Sequence, residues 1–287
     1  MKKILIVSLV FTALTSFAQE SKEQNTWKLK FHFGFSRTNY LPTDLHINST
    51  EIKATVEGQK FAERTSAHHY NIFRKDQQIK DAFKFIDEPT NTLSFSVENE
   101  NNAFYISAYH PKYMKSFLYK KNTDESGYTS YEFGEIGESD NFSQSIPEGW
   151  NYAYMGETHK RMDWSLGYAR KIHLLKSKGW KINYNPRFEL GVSTGIARSV
   201  RIVPGEAWDD YKSKPKIQGY AIAAGHRIEV ERGKFSIYID QKIVYSSQDR
   251  EFFDGNLTYK VVYIPTTFGL AYEVFEFRNK QSKKAIK

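Results

Sequence analysis

The chain reads as all-β: an antiparallel up-and-down transmembrane barrel of eight strands, with ten as the alternative. Three observations predict it. Large apolar residues alternate with polar ones in eight separate segments, the period of a strand with two unlike faces. The connections between those segments alternate between long and short, as in barrels with tight turns on one side of a bilayer and long loops on the other. Beyond the N-terminus, apolar runs stop at four or five residues, far short of the roughly 20 that a spanning helix needs. A membrane chain without such a helix can satisfy its backbone in lipid only as a closed sheet.

The N-terminus points to export. Lys2 and Lys3 precede an apolar stretch from Ile4 to Leu14, and Ser16 and Ala18 take the −3 and −1 positions before Gln19. Basic, apolar and small-residue regions in that order form a secretory signal peptide, so residues 1–18 are set apart from the fold. Cysteine is absent, which removes disulfides, thiolate metal sites and cysteine nucleophiles together. The formal net charge is +8, or +6 once Lys2 and Lys3 are removed. Lys and Arg are scattered rather than gathered in a stripe, which fits basic loops against anionic headgroups better than nucleic-acid binding. Mean hydropathy is −0.61. Aromatic residues make up 16% of the chain, with 19 Tyr and 21 Phe, for which girdles at two membrane interfaces are one ordinary cause and a sugar-binding sandwich another.

The segments follow in order. Over 27–37, Trp27, Leu29, Phe31, Phe33 and Phe35 share one face, and Lys28, Lys30, His32, Gly34 and Ser36 share the other. A slip of one residue would turn the lysines toward the apolar side, so the register is tightly specified. Leu93, Phe95 and Val97 mark a strand at 91–98, and Phe104, Ile106 and Ala108 one at 103–117. Trp164, Leu166 and Tyr168 mark 161–171, and Phe188, Leu190 and Val192 mark 180–197. Tyr220, Ile222 and Ala224 open a strand at 218–230, and Phe235, Ile237 and Ile239 one at 234–246. Phe268, Leu270, Tyr272 and Val274 close the series at 258–276. The segments 38–90, 118–160, 198–217 and 247–256 then read as long outer loops, and 99–102 and 231–233 as tight turns. Within the first loop, Leu45, Ile47 and 52–56 suit a hairpin above the membrane. Residues 19–277 form the barrel unit, and 278–287 a basic tail.

The polar faces carry charge in mid-strand. Lys28, Lys30, Arg187, Glu189, Arg227, Glu229, Asp240, Lys242 and Glu273 all take inward positions. Eight strands enclose only enough space for side chains to fill, and buried charges must be paired. These nine are therefore expected to form an ionic plug rather than a narrow ion path.

The last strand carries a resemblance. Outer-membrane proteins commonly end in a strand read by the barrel insertion machinery, with a polar residue, a glycine and then spaced aromatic or apolar residues. Thr267-Phe268-Gly269-Leu270-Ala271-Tyr272-Glu273-Val274 is similar to that signal, with Gly269, Tyr272 and Val274 at its marked positions. Such proteins usually stop at an aromatic residue, whereas here Phe275-Glu276-Phe277 leads into the basic tail. Residues 28–38 and Tyr109-His110-Pro111-Lys112-Tyr113-Met114-Lys115 also resemble a group of small outer-membrane β-barrel proteins of Gram-negative bacteria that is largely without assigned function. The resemblance implies a fold and an outer-membrane location, with outer-membrane lipids and the insertion machinery as partners. It carries over no catalytic residue.

Function is therefore expected to reside in the outer loops of a rigid scaffold, as a structural or interaction role with an unidentified loop ligand and no open pore. Two rivals stand beside it. A lipid-modifying barrel enzyme would need a serine activated by a base at the bilayer surface, for which His110 and His159 are the candidates, although no residue set matches the motif of the known barrel enzymes. A soluble exported sugar- or lipid-binding β-protein would show the same alternation. His68 and His69 are adjacent, and no second pair lies at ligand spacing, so no metal site is expected. No phosphate loop, nucleotide fingerprint or nucleic-acid module is present, and no cofactor is implied.

Overall fold

Alternation gives each strand one apolar and one polar row, and the folded chain closes those rows into a ring. The computed structural model describes residues 26–49, 52–59, 62–63, 90–109, 113–134, 148–157, 162–202 and 209–278. The ring strands are β1 (Thr26–Tyr40), β2 (Thr90–Glu98), β3 (Asn102–Tyr109), β4 (Met162–Arg170), β5 (Trp180–Gly195), β6 (Lys216–Arg232), β7 (Phe235–Phe252) and β8 (Gly255–Arg278). Each pairs antiparallel with its sequence neighbour. β1 pairs in turn with β8, from Thr26↔Arg278 to Tyr40↔Tyr263, so the ring has no edge. The fold is thus an eight-stranded up-and-down antiparallel barrel, and the alternative of ten strands falls away. A row followed once around the ladder from Phe31 returns to β1 at Leu41, ten residues higher. A stagger of that kind goes with strands tilted by about 35–45°.

The tight connections lie at one end, beside both termini. Asn99 Oδ1 accepts hydrogen bonds from the N–H groups of Asn101 and Asn102 at 2.9 and 2.8 Å. This Asx turn holds β2 against β3. β4 resumes as Ile172–Ser177, paired with the lower part of β5, and reverses at Lys178 and Gly179 with φ of 46° and 84°. Two consecutive positive φ values match the right-handed twist of a hairpin.

Through most of the ring the faces are inside out relative to a soluble barrel. Ile106 is 57% exposed and Leu166 65%, whereas Lys30 is 3% exposed and His32 is fully buried. Only a hydrocarbon surround makes that arrangement favourable. Ring pairs Trp27–Phe104 at 6.2 Å and Phe104–Tyr168 at 5.4 Å line the lower rim. Inside, Tyr238 lies across the paired Gly34 and Gly269. A Cβ on Gly269 would sit 2.1 Å from Tyr238 Cζ, and one on Gly34 2.8 Å from its hydroxyl, so only glycine leaves room for this ring.

At the other end the polarity exchanges faces. Low on β7 and β8, Ile237, Ile239, Phe268 and Leu270 point outward while Asp240 and Thr267 are buried. High on the same strands, Ser247, Asp249, Thr258 and Lys260 take the outward positions. Phe252, Leu257, Tyr259, Val261 and Tyr263 there turn inward and are buried. Here the chain has left the hydrocarbon and behaves as a water-soluble β-structure does.

The outer segments are more regular than the sequence reading allowed. Residues 247–256, read as a long loop, are continuous ladder up to Phe252↔Gly255. The strand read as 103–117 divides, because Asn102–Tyr109 belongs to the ring and Tyr113–Thr123 to a second sheet. That sheet also contains Ala62–Glu63, Thr129–Gly134, Asn151–Glu157, Ala197–Ile202 and Asp209–Lys212. Four of its strands follow or precede β3, β4, β5 and β6 in the chain and pair in the same order, so one wall of the barrel is carried upward past the bilayer. The expected hairpin forms as Thr43–Asn48 against Lys53–Gln59 and pairs with the start of β8. It lies beside the ring and adds no strand to it.

Candidate functional site

Three groups of ion pairs stand inside the barrel, stacked from the lower mouth upward. At the mouth, Lys28 Nζ lies 2.6 Å from Glu273 Oε2. Above it, Lys30 Nζ is 2.5 Å from Glu98, 3.1 Å from Glu229 and 2.9 Å from Glu231. Lys171 Nζ reaches Glu98 at 3.4 Å and Glu231 at 3.1 Å. The carboxylates accept further bonds: Asn183 donates to Glu231 at 2.8 Å, Asn185 to Glu229 at 3.3 Å and Ser236 to Glu229 at 2.6 Å. Charges removed from water are tolerated only with this degree of pairing.

The third group is built on arginine. Arg187 bridges Glu189 and Asp240, and Arg227 Nη2 meets the same Asp240 at 2.9 Å. Lys242 and Ser165 complete the shell of Glu189 at 3.0 Å each. His32 joins the groups. Arg227 Nη1 lies 3.0 Å from its Nδ1, and Ser96 Oγ 2.8 Å from its Nε2. Arginine can only donate, so Nδ1 accepts and Nε2–H donates to Ser96. Arg227 also stands 4.0 Å from the centre of the Tyr238 ring and 5.1 Å from that of Tyr105, with Arg187 at 4.5 Å on the latter. Both aromatic faces thus take part in holding the guanidinium groups.

All nine residues that the sequence placed inside stand on the lumen side, and these contacts bring every one of them into an ion pair. Sequence reasoning left out Glu98, Glu231 and Lys171, which close the second group. Their inward parity was readable, but they sit at strand ends where alternation gives out. The pairs join six cations to six carboxylates, so the network as a whole offers neither sign of ion a preferred seat. Gly269 and Tyr272 lie on the β8 strand beside β1. Val274 is skipped in the register there, since Leu29 pairs with Phe275 and Lys30 with Glu273.

Above the ion pairs, a cavity of about 60 Å³ is lined by Ser94, Ser107, Asp163, Ser165, Glu189 and Lys242. It has room for a few waters. Its roof begins the apolar core of the cap, where Tyr40, Leu45, Ile47, Ile52, Val56, Tyr119, Phe252, Leu257 and Tyr259 are all buried. The hairpin supplies four of these residues, with Leu45 opposite Tyr259 and Ile47 opposite Leu257 in the ladder. Thr43 Oγ1 donates to the Lys260 carbonyl beside them. On the rim of the cap, Glu251 accepts from Lys216 Nζ and from the Tyr211 hydroxyl, both at 2.7 Å. These donors hold the Glu251 carboxyl below its usual range, Lys216 more strongly than Tyr211.

Ile47→Val should cost about 0.5–1.5 kcal/mol of cap stability and leave the ring intact. Limited proteolysis within 43–59 of the folded protein is the measurement. Cleavage should rise several-fold while the barrel keeps its heat-modifiable migration on a gel. Unchanged cleavage would mean the hairpin is not held by this core.

His68, His69, His110 and His159 lie outside the described residues, as does the signal segment 1–18. Among the described residues, no group of three or more His, Asp or Glu side chains is arranged to hold a metal ion.

No family model matches the chain, and no curated protein matches it. Several solved structures align along most of its length. Ail, the attachment invasion locus protein of Yersinia pestis, solved in complex with the heparin analogue sucrose octasulfate, is 8% identical and covers 86% of this chain and 99% of its own, with a TM-score of 0.29. The outer membrane protein AlkL, solved in DMPC bilayers, is 11% identical over 91% of this chain and 95% of its own, with a TM-score of 0.35. Neisserial surface protein A is 8% identical over 87% and 97%, with a TM-score of 0.26. Likenesses this distant transfer no function, and the barrel rests on its own ladder closure.

Proposed function

We propose that the chain is an outer-membrane barrel of a Gram-negative cell, exported through residues 1–18, with a structural or loop-mediated interaction role and no open pore. One observation supports the reading: among the described residues, a cluster of paired charges and an apolar core follow one another along the barrel axis. Paired charges stand in the lower lumen from Lys28 to Lys242, and the apolar core of the cap lies above them. What remains for function is the outer surface of the cap, a rigid scaffold raised above the bilayer by the continued wall of β3 to β6. In this reading the final strand, with Gly269, Tyr272 and Val274, serves the insertion machinery, and outer-membrane lipids surround the apolar belt.

The purified protein should then give no stable single-channel steps of porin size in planar bilayers. Fractionation supplies the companion test. The folded protein should stay with the membrane through a carbonate wash and migrate differently before and after boiling. Steady porin-like conductance would overturn the absence of a pore, and release by carbonate would overturn the location.

A further inference from the structure

The apolar exterior of the ring is interrupted by one polar row inside the hydrocarbon belt. His226 on β6, Gln241 on β7 and Thr266 on β8 are successive cross-strand partners with outward parity. Each is flanked on its own strand by apolar residues of the same parity: Ile228 and Ala224 around His226, Ile239 and Ile243 around Gln241, Phe268 and Ile264 around Thr266. Further apolar residues follow in both directions, with Val230 and Ile222 on β6, Ile237 and Tyr245 on β7, and Leu270 and Val262 on β8. His226 and Gln241 therefore lie within the belt, while on its other side Thr266 pairs with the outward Arg37 of β1, where the row climbs to the rim. Gln241 Nε2 donates to Thr266 Oγ1 at 3.3 Å, and the His226 ring stands 5.8 Å from that of Tyr184. Among the described residues, the Gln241 carbonyl oxygen and the His226 nitrogens make no hydrogen bond.

Polar groups in hydrocarbon need a polar partner, and lipid tails provide none. We propose that this row is a seam through which two copies of the chain associate side by side in the membrane. A two-fold interface must complement itself. Amide, imidazole and hydroxyl each carry both a donor and an acceptor, so two antiparallel rows satisfy one another without any further element. A different protein would have to bring a matching row at the same depth, whereas a second copy has one by construction. Ile237 and Ile243 project beside the row, 58% and 59% exposed, and between Ile222 and His226 the outward position is held by the small Ala224.

The chain has no cysteine, so an introduced one reports without background. In the full chain reconstituted in phosphatidylcholine vesicles and oxidised, Gln241→Cys should give a disulfide-linked dimer as the main product. Ile106→Cys, on the far side of the ring, should give at least ten-fold less. In a separate measurement, energy transfer between chains labelled in the cap at Tyr128→Cys should report association in vesicles. Adding His226→Leu and Gln241→Leu should weaken it at least ten-fold, with heat-modifiable migration showing that the variant folds. Equal cross-linking at the two sites overturns the seam, as does undiminished association of the variant or a monomer at every protein-to-lipid ratio. A photo-reactive residue at 241 in intact cells should capture a second copy. Capture of lipid alone, or of a different protein, overturns it too.

Discussion

Lys30→Met should destabilise the folded barrel by about 3–5 kcal/mol, the cost of breaking a buried ion pair from one side. The substitution keeps the length of the side chain and removes the one charge shared by Glu98, Glu229 and Glu231. Lys171 reaches Glu98 and Glu231, so Glu229 suffers most. Its remaining partners are Ser236 and Asn185, which are neutral. Urea unfolding of the barrel in detergent or lipid, followed by tryptophan fluorescence and by gel migration, reads the loss. Adding Glu229→Gln should restore part of it, because the stranded carboxylate is then gone. A loss below about 1 kcal/mol, the size expected of a solvated pair, would mean that water fills this part of the lumen and the plug is not dry.

Ile106→Arg should cost about 2–4 kcal/mol if the side chain faces the middle of the bilayer. Ile106 is 57% exposed on β3, between the outward Phe95 and Leu166 of the neighbouring strands. Tyr128→Arg is the control. Tyr128 is 69% exposed, but it lies in the turn between Tyr113–Thr123 and Thr129–Gly134 of the cap. A surface change there should stay within about 0.5 kcal/mol. The two residues have similar exposure and differ in the medium they meet. Equal effects of the two substitutions on unfolding would show that the apolar face of the ring is in water.

Much of the ring could be read from the chain because hydrocarbon imposes a strict rule on it. Trp27 to Phe35 alternates without a break, and one slip would place Lys28 or Lys30 in lipid. The charged inward set followed from the same parity. The cap escaped because the rule changes where the chain enters water. From Ser246 to Glu251, polar residues occupy both faces of β7, so nothing in the order of residues separated ladder from loop. On β8 the apolar side turns from outward to inward around Ile264, and a reading that equates apolar with lipid loses the strand there. The hairpin core was half visible. Leu45, Ile47 and Val56 marked a hairpin, but their partners Phe252, Leu257 and Tyr259 lie some 200 positions later, a separation that local periodicity does not register. The seam row of His226, Gln241 and Thr266 escaped for the opposite reason: each member alone is a minor break in a long apolar run, and only the pairing register aligns them.

The closure of the ring by its first and last strands bears on how the molecule is made. β1 and β8 meet along fifteen paired positions, with Thr26 opposite Arg278 and Gly34 opposite Gly269 beneath the Tyr238 ring. No part of that ladder can form until β8 has been synthesised, and closing so long a loop is the entropically costliest pairing in the molecule. Until then the sheet is an open ribbon with two unsatisfied edges, and such edges pair with whatever strand they meet. The time before closure is therefore the period in which the chain most needs a chaperone. Substitutions that weaken this closing ladder, such as a side chain at Gly269 against the Tyr238 ring, would prolong that exposure as well as destabilise the finished barrel.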